Sequence, residues 1–247
     1  MAGHSKWANI KHRKSAQDSK RGKIFTKIIK EITIASKLEG ADPDSNPRLR
    51  KAITNAKSKN IPAQKISRAI KKGSGEMDDV HYEDCSYEGF GPGGVAIIID
   101  TITDNKNRTV SDIRHIFSKF GGNLAENGSV SWMFEKKGII VIGKSERTDD
   151  DLFNAALKCG AEDLKMNSQF YSVITDYENL ISTNKILLEE GFVSETCEVE
   201  MIPKNMHKVS GSDAKNNLDL LKTLDDHVDV NQVYSNFDFD DNEIVTK

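Results

Sequence analysis

The stretch KGIIVIGKSERTDDDLFNAALKCGAEDLKMNSQFYSVITDYENLISTNKILLEEGFVSETCEVEMIP, residues 137–203, decides the fold. Ile139–Ile142 reads as a short strand, being β-branched and apolar throughout. Leu152, Ala155, Ala156 and Leu157 then recur at helical spacing over Asp149–Lys158, with Gly160 as the stop. Asp149, Asp150 and Asp151 fall in the first turn, where the helix dipole favours acids. Ala161–Met166 and Phe170–Thr175 read as two strands. Tyr177–Glu190 is a second helix, with Leu180, Ile181, Leu187 and Leu188, closed by Gly191, and Glu195–Ile202 is a last strand. The order is βαββαβ, which folds as one sheet with helices on one face.

Outside this stretch the same order returns, interrupted. Strand 95–102, helix 106–119 and strand 129–135 come before it; strand 207–210, helix 213–226 and strand 229–237 come after it. In Ser129–Phe134, residues Val130, Trp132 and Phe134 alternate onto one face, which places Trp132 in a core. Residues 137–203 are therefore expected as a domain inserted into a second ferredoxin-like domain made of 76–136 and 204–247. The glycines of GFGPGG (89–94) precede the strand Val95–Asp100 instead of following one. With no GxxxxGK[ST] and no GxGxxG opening a helix, they read as a tight turn and not as a nucleotide cradle.

The remaining third is different in kind. The 247 residues carry 35 Lys+Arg and 38 Asp+Glu, a near balance that conceals a segregation. Residues 1–75 hold 19 of the bases and five acids (net +14), leaving the rest of the chain at −17. A basic head on an acidic body points to a polyanionic partner. Lys6, Lys11, Arg13, Lys14, Lys20, Arg21 and Lys23 face only Asp18 in residues 1–23, which lack a helical period and read as a flexible basic arm. Trp7 and His12 are interleaved with these cations. Trp7 either stacks on a base or pins the arm to the body. From Ile24 to Leu38 apolar residues recur at three- and four-residue steps, and Lys20, Lys23, Lys27, Lys30 and Lys37 form a stripe beside them. Gly40 is expected at C′. Asn46 as N-cap with Pro47 at N1 opens a second helix, with Arg48, Arg50, Lys51, Lys57 and Lys59 outward. Pro62 opens a third, with Ile66, Ala69 and Ile70 inward, ending at Lys71-Lys72-Gly73. Residues 24–75 are thus a three-helix domain. Arg48, Arg50, Lys51, Lys27 and Lys30 join the arm as candidate nucleic-acid-binding residues. The acids after Leu224 (Asp225, Asp226, Asp229, Asp238, Asp240, Asp241, Glu243) either repel phosphate, leaving it to the head, or simply solubilise the end.

Other classes find little support. The longest apolar run, Val95–Ile99, is far short of the roughly 20 residues of a membrane span. No apolar stretch follows the first charges, so no secretory signal is expected. Cys85, Cys159 and Cys197 are odd in number and widely spaced, which fits neither a disulfide framework nor a zinc site and suits a reducing cytoplasm. The six histidines form no HExxH, no GxSxG is present, and no acid set suits a metal, so no enzyme is expected.

Four segments taken together resemble the YebC/PmpR family: AGHSKWANIKHRKSAQDSKRGKIFTK (2–27), YEGFGPGGVA (87–96), TDNKNRT (103–109) and GGNLAENGSVSWMFEKKG (121–138). The family includes the mitochondrial translational activator of cytochrome oxidase subunit I. The likeness runs through the whole chain, and this sequence departs from the pattern at Cys85, Lys106 and Ala125. The resemblance implies an α+β protein: an N-terminal three-helix domain followed by two ferredoxin-like domains, one inserted in the other. It also implies no cofactor and a cytoplasmic location. It further implies a DNA-binding transcriptional regulator, or alternatively a ribosome- and rRNA-binding translation factor that helps difficult peptide sequences through synthesis. Carried over by position are Lys6, Trp7, Lys11, His12, Arg13, Lys14, Lys20, Arg21 and Lys23. On either account the partner is nucleic acid, with no membrane, no small-molecule substrate and no metal.

Overall fold

The computed structural model describes residues 21–76, 82–144, 148–166 and 170–240. In chain order its elements are α1 (Arg21–Glu39), α2 (Pro47–Ser58), α3 (Ala63–Gly73), β1 (Glu83–Gly91), β2 (Val95–Thr103), α4 (Lys106–Lys119), β3 (Asn123–Ala125), β4 (Phe134–Gly143), α5 (Asp149–Lys158), β5 (Asp163–Met166), β6 (Phe170–Asp176), α6 (Leu180–Glu189), β7 (Ser194–Pro203), β8 (His207–Lys208), α7 (Gly211–Asp225), β9 (Val230–Ser235) and β10 (Phe237–Asp238). Residues 132–206 form one compact unit, and the described residues on either side form the other.

The larger unit begins with the three helices. Ile28, Ile32 and Ala35 of α1 meet Leu49, Ala52 and Ala56 of α2 and Ile66 and Ala69 of α3 in one apolar core. The Asn46 side chain accepts the Leu49 N–H at 2.8 Å, capping α2 as the sequence suggests. Its amide donates to the Ala35 and Gly40 carbonyls at 2.9 and 2.7 Å. A wholly buried Asn thus ties the end of α1 to the start of α2, and Gly40 takes φ 93° at the bend. α3 ends at Gly73, as expected, and the chain turns at Gly75, with φ 82°. A Cβ on Gly73 would overlap the Thr33 carbonyl oxygen and lie 2.6 Å from Ser36 Cβ. Gly73 is therefore where α3 crosses α1 too closely for any side chain. Gly73→Ala is expected to cost about 1–3 kcal/mol through overpacking, read as a lower urea midpoint at unchanged m-value. An unchanged midpoint would contradict the close crossing.

Behind the helices lies an antiparallel-paired sheet in the order β3-β1-β2-β9. Ile113, Ile116 and Phe117 of α4 and Leu220, Leu221 and Leu224 of α7 cover Val95, Ile97 and Ile99 of β2. The glycine-rich turn does lead into a buried strand, β2, through Gly93 (φ 71°) and Gly94 (φ 85°). The strand before the turn, β1, is absent from the sequence reading. Its residues, EDCSYEGFG, are charged and Gly-rich, yet they pair with β2 along its whole length. β1 takes an inner place in this sheet, and the strand expected at 207–210 is not part of it. There only His207 and Lys208 pair, in parallel with β10.

Ser129–Phe134 is not an alternating strand. Ser131–Met133 is a 3-10 turn, and Trp132, expected in the core, is 64% exposed. The cause is Glu88, a buried residue of β1. Its carboxylate accepts the backbone N–H groups of Gly128 (2.8 Å), Val130 (2.6 Å) and Ser131 (3.0 Å). These bonds hold the backbone in a turn instead of a strand.

In the smaller unit the sheet order is β5-β6-β4-β7, with every pairing antiparallel, and Leu152, Ala155, Leu180 and Leu187 of its two helices pack over Ile140, Ile142 and Val173. The helix at Asp149–Lys158 has the expected bounds. Thr148 is its N-cap, and Asp151 returns the bond to the Thr148 N–H, completing a capping box. β4 is longer than the Ile139–Ile142 run suggested, and a 3-10 turn at Tyr177–Asn179 delays α6 to Leu180.

Candidate nucleic-acid interface

The lysine stripe of α1 does not present a row of free ammoniums. Lys23 Nζ donates to the Asp226 carbonyl at 3.3 Å, and Lys27 Nζ to that of Asp225. Both carbonyls stand at the C-terminal end of α7, where backbone oxygens lack intrahelical partners and the dipole is negative. Lys37 Nζ reaches the Tyr82 carbonyl at 3.2 Å. Lys30, one of the expected interface residues, is 7% exposed. Its ammonium pairs with Asp229 and approaches the Ile102 and Val228 carbonyls at 3.4 Å each.

Asp229 is the hub of this contact, and its carboxylate has no exposed surface. Besides Lys30 it accepts from Arg108 Nη2 and Thr109 Oγ1, each at 2.9 Å. Burial pushes the carboxyl pKa up, but the bonds from Lys30, Arg108 and Thr109 outweigh it and hold the group down at about 2. The TDNKNRT segment supplies this cradle. Asn105 caps α4 by accepting the Arg108 N–H at 3.0 Å, and Thr109 Oγ1 also bonds Thr103 Oγ1 at 2.7 Å. Three of the acids after Leu224 therefore serve, by side chain or by carbonyl, as partners of the head's lysines.

Arg48 is likewise engaged. It donates to Glu31 at 2.7 and 3.2 Å and to Asp84 at 2.8 and 3.3 Å, two forked contacts that join α1, α2 and β1. These carboxylates raise the guanidinium pKa against the opposing effect of burial. Of the other expected cations, Arg50 is exposed, with only a 3.5 Å contact to the Asp44 carbonyl, and Lys51 is exposed too. Arg21 begins α1. Lys6, Trp7, Lys11, His12, Arg13, Lys14 and Lys20 lie outside the described residues.

The described part of the head keeps further positive surface on α2, on the residue that caps it, and on α3. Lys57, Lys59, Lys65, Arg68 and Lys71 are exposed and make no ion pair among the described residues. Lys65, Arg68 and Lys71 were not singled out as site residues in the sequence. The signal was present: with Ile66, Ala69 and Ile70 inward, positions 65, 68 and 71 must face out. Among the described residues no His/Cys/Asp/Glu group could hold a metal, and no helix is long and apolar enough to cross a membrane. Burial pushes the Cys85 and Cys159 thiols up, the reverse of an activated nucleophile.

Residues 5–76 match the family described as TACO1/YebC protein N-terminal domain, and residues 82–237 the family described as TACO1/YebC second and third domain. A "probable transcriptional regulatory protein" of Geotalea uraniireducens is 52% identical over 244 residues, covering 99% of this chain and 98% of that one. Another of the same name, from Chloroherpeton thalassium, is 48% identical over 245 residues, with 99% and 98% covered. The crystal structure of a conserved hypothetical protein from Aquifex aeolicus superposes with a TM-score of 0.89 at 40% identity, covering 98% of this chain and all of that one. The chain belongs to the TACO1/YebC family.

Proposed function

We propose that this TACO1/YebC family member is a non-enzymatic regulator of gene expression that binds nucleic acid, DNA foremost, through its basic head, in the cytoplasm and without a cofactor. Relatives matched over 98% of their length carry the name "probable transcriptional regulatory protein". The observation that carries the reading is the segregation of charge, +14 in residues 1–75 against −17 beyond. The head binds its own body through Lys30 to Asp229 and Arg48 to Asp84, and still leaves Arg50, Lys57, Lys59, Lys65, Arg68 and Lys71 exposed. Contacts of this kind track phosphates and position a protein without reading bases, so sequence specificity should be modest.

The arm supplies the test. Lys11→Glu/Arg13→Glu/Lys14→Glu should weaken binding to a short DNA duplex about 10- to 100-fold at moderate salt, as several phosphate contacts are lost. The melting temperature should stay nearly constant. Lys23 is left out of this variant because its ammonium caps α7. Wild-type binding that ignores salt, or an arm variant that binds like wild type, would overturn the proposal.

A further inference from the structure

We infer that the outward face of α3 is a second sugar–phosphate site, one that binds without the arm. The inference rests on the nucleic-acid reading above and assigns a place for the contact. Lys65, Arg68 and Lys71 are spaced by three residues, so each stands about 4.5 Å further along the helix axis than the last. Ala63, Gln64 and Ser67, all with short or neutral side chains, line an open depression of about 470 Å³ together with Arg68 and Lys71. A phosphate can meet the forked guanidinium of Arg68 through two N–H donors, with the sugar against the short side chains beside it.

The turn before α3 adds charge at its start. Asn60 takes φ 57°, and the Ile61 N–H bonds back to the Ala56 carbonyl at 2.9 Å. That closes the end of α2, which carries Lys57 in its last turn and Lys59 as its C-cap, directly onto the segment leading into α3. A helix face that merely solubilises a protein mixes both signs of charge. Residues 63–73 contain four cations and no acid. Lys23, Lys27 and Lys30 of α1 are held by the Asp226 and Asp225 carbonyls and by Asp229, whereas Lys57, Lys65, Arg68 and Lys71 of α2 and α3 make no ion pair among the described residues.

The experiment measures fluorescence anisotropy of the full-length protein with labelled 20-nucleotide single strands of RNA and DNA and with a DNA duplex, across a salt series. The variants are Lys65→Ala/Arg68→Ala/Lys71→Ala and the arm triple. The α3 variant should bind single strands about tenfold more weakly. The slope of log K against log salt should fall by about 2, at roughly 0.7 per phosphate contact. The deficit should add to that of the arm variant. Equal losses on RNA and DNA assign the contact to the backbone, and a larger loss on RNA adds the 2′-hydroxyl; both uphold the site. Wild-type affinity and slope in the α3 variant, beside a weakened arm variant, would overturn this inference and leave the proposed function intact. No wild-type binding to any strand would instead overturn the proposed function. These side chains are exposed, so melting should shift little. If the triple variant does melt early, Arg68→Gln alone repeats the test, with an expected loss of a few-fold and the same contradicting result.

Discussion

Asp229→Asn is expected to destabilise the protein by about 3–5 kcal/mol, the cost of leaving a buried charge without its partner. The geometry allows no comfortable amide. Placed toward Lys30, the new NH2 faces an ammonium; turned the other way, it faces Arg108 Nη2 and Thr109 Oγ1, both donors at 2.9 Å. Lys30 cannot escape to water, being 7% exposed. Removing both charges in Lys30→Met/Asp229→Asn should recover part of the loss, and the difference in denaturant midpoints measures the coupling. The same carboxylate gives a pH signature. Its folded pKa of about 2 lies below its ordinary value of 3.8. Its contribution is therefore complete above about pH 4 and lost as pH falls through 2. The wild-type protein should lose about 2 kcal/mol of stability across that window from this group, and Asp229→Asn should show a correspondingly flatter acid limb. An Asn variant as stable as wild type would mean the junction holds no buried charge pair.

Glu88→Ala is the second large effect, about 3 kcal/mol, because three backbone donors lose their acceptor. The Val130 N–H suffers most, since Val130 has no exposed surface. Burial raises the Glu88 pKa, but the Gly128, Val130 and Ser131 N–H groups more than reverse it and hold the group low. Its contribution is present above the ordinary glutamate range and fades as pH drops below it. Hydrogen exchange at Val130 and Ser131 should accelerate well beyond the global change. Protection unchanged at those amides would show that another group fixes the turn.

Where the sequence was informative, the information was local. α5 is legible because its acids, its apolar spacing and its terminal glycine lie within a dozen residues. The Asn46-Pro47 start of α2 is legible for the same reason. β1 was not, because a strand of charged and glycine residues owes its existence to pairing with β2 across the turn. Trp132 was misplaced because a carboxylate some forty residues earlier bends its segment. The candidate site divides along the same line. Lys30 and Arg48 resemble every other head cation in sequence, and their partners Asp229 and Asp84 lie 199 and 36 positions away. The outward set Lys65, Arg68 and Lys71 could have been found from the helical period alone.

Photo-crosslinking offers the shortest route to the central claim. The full-length protein, bound to a strand bearing a photoreactive base and irradiated, should yield crosslinked peptides from residues 1–23 and from α2 and α3, and these should vanish at high salt. Crosslinks confined to β4–β7 of the smaller unit would contradict a basic head that meets the sugar–phosphate backbone.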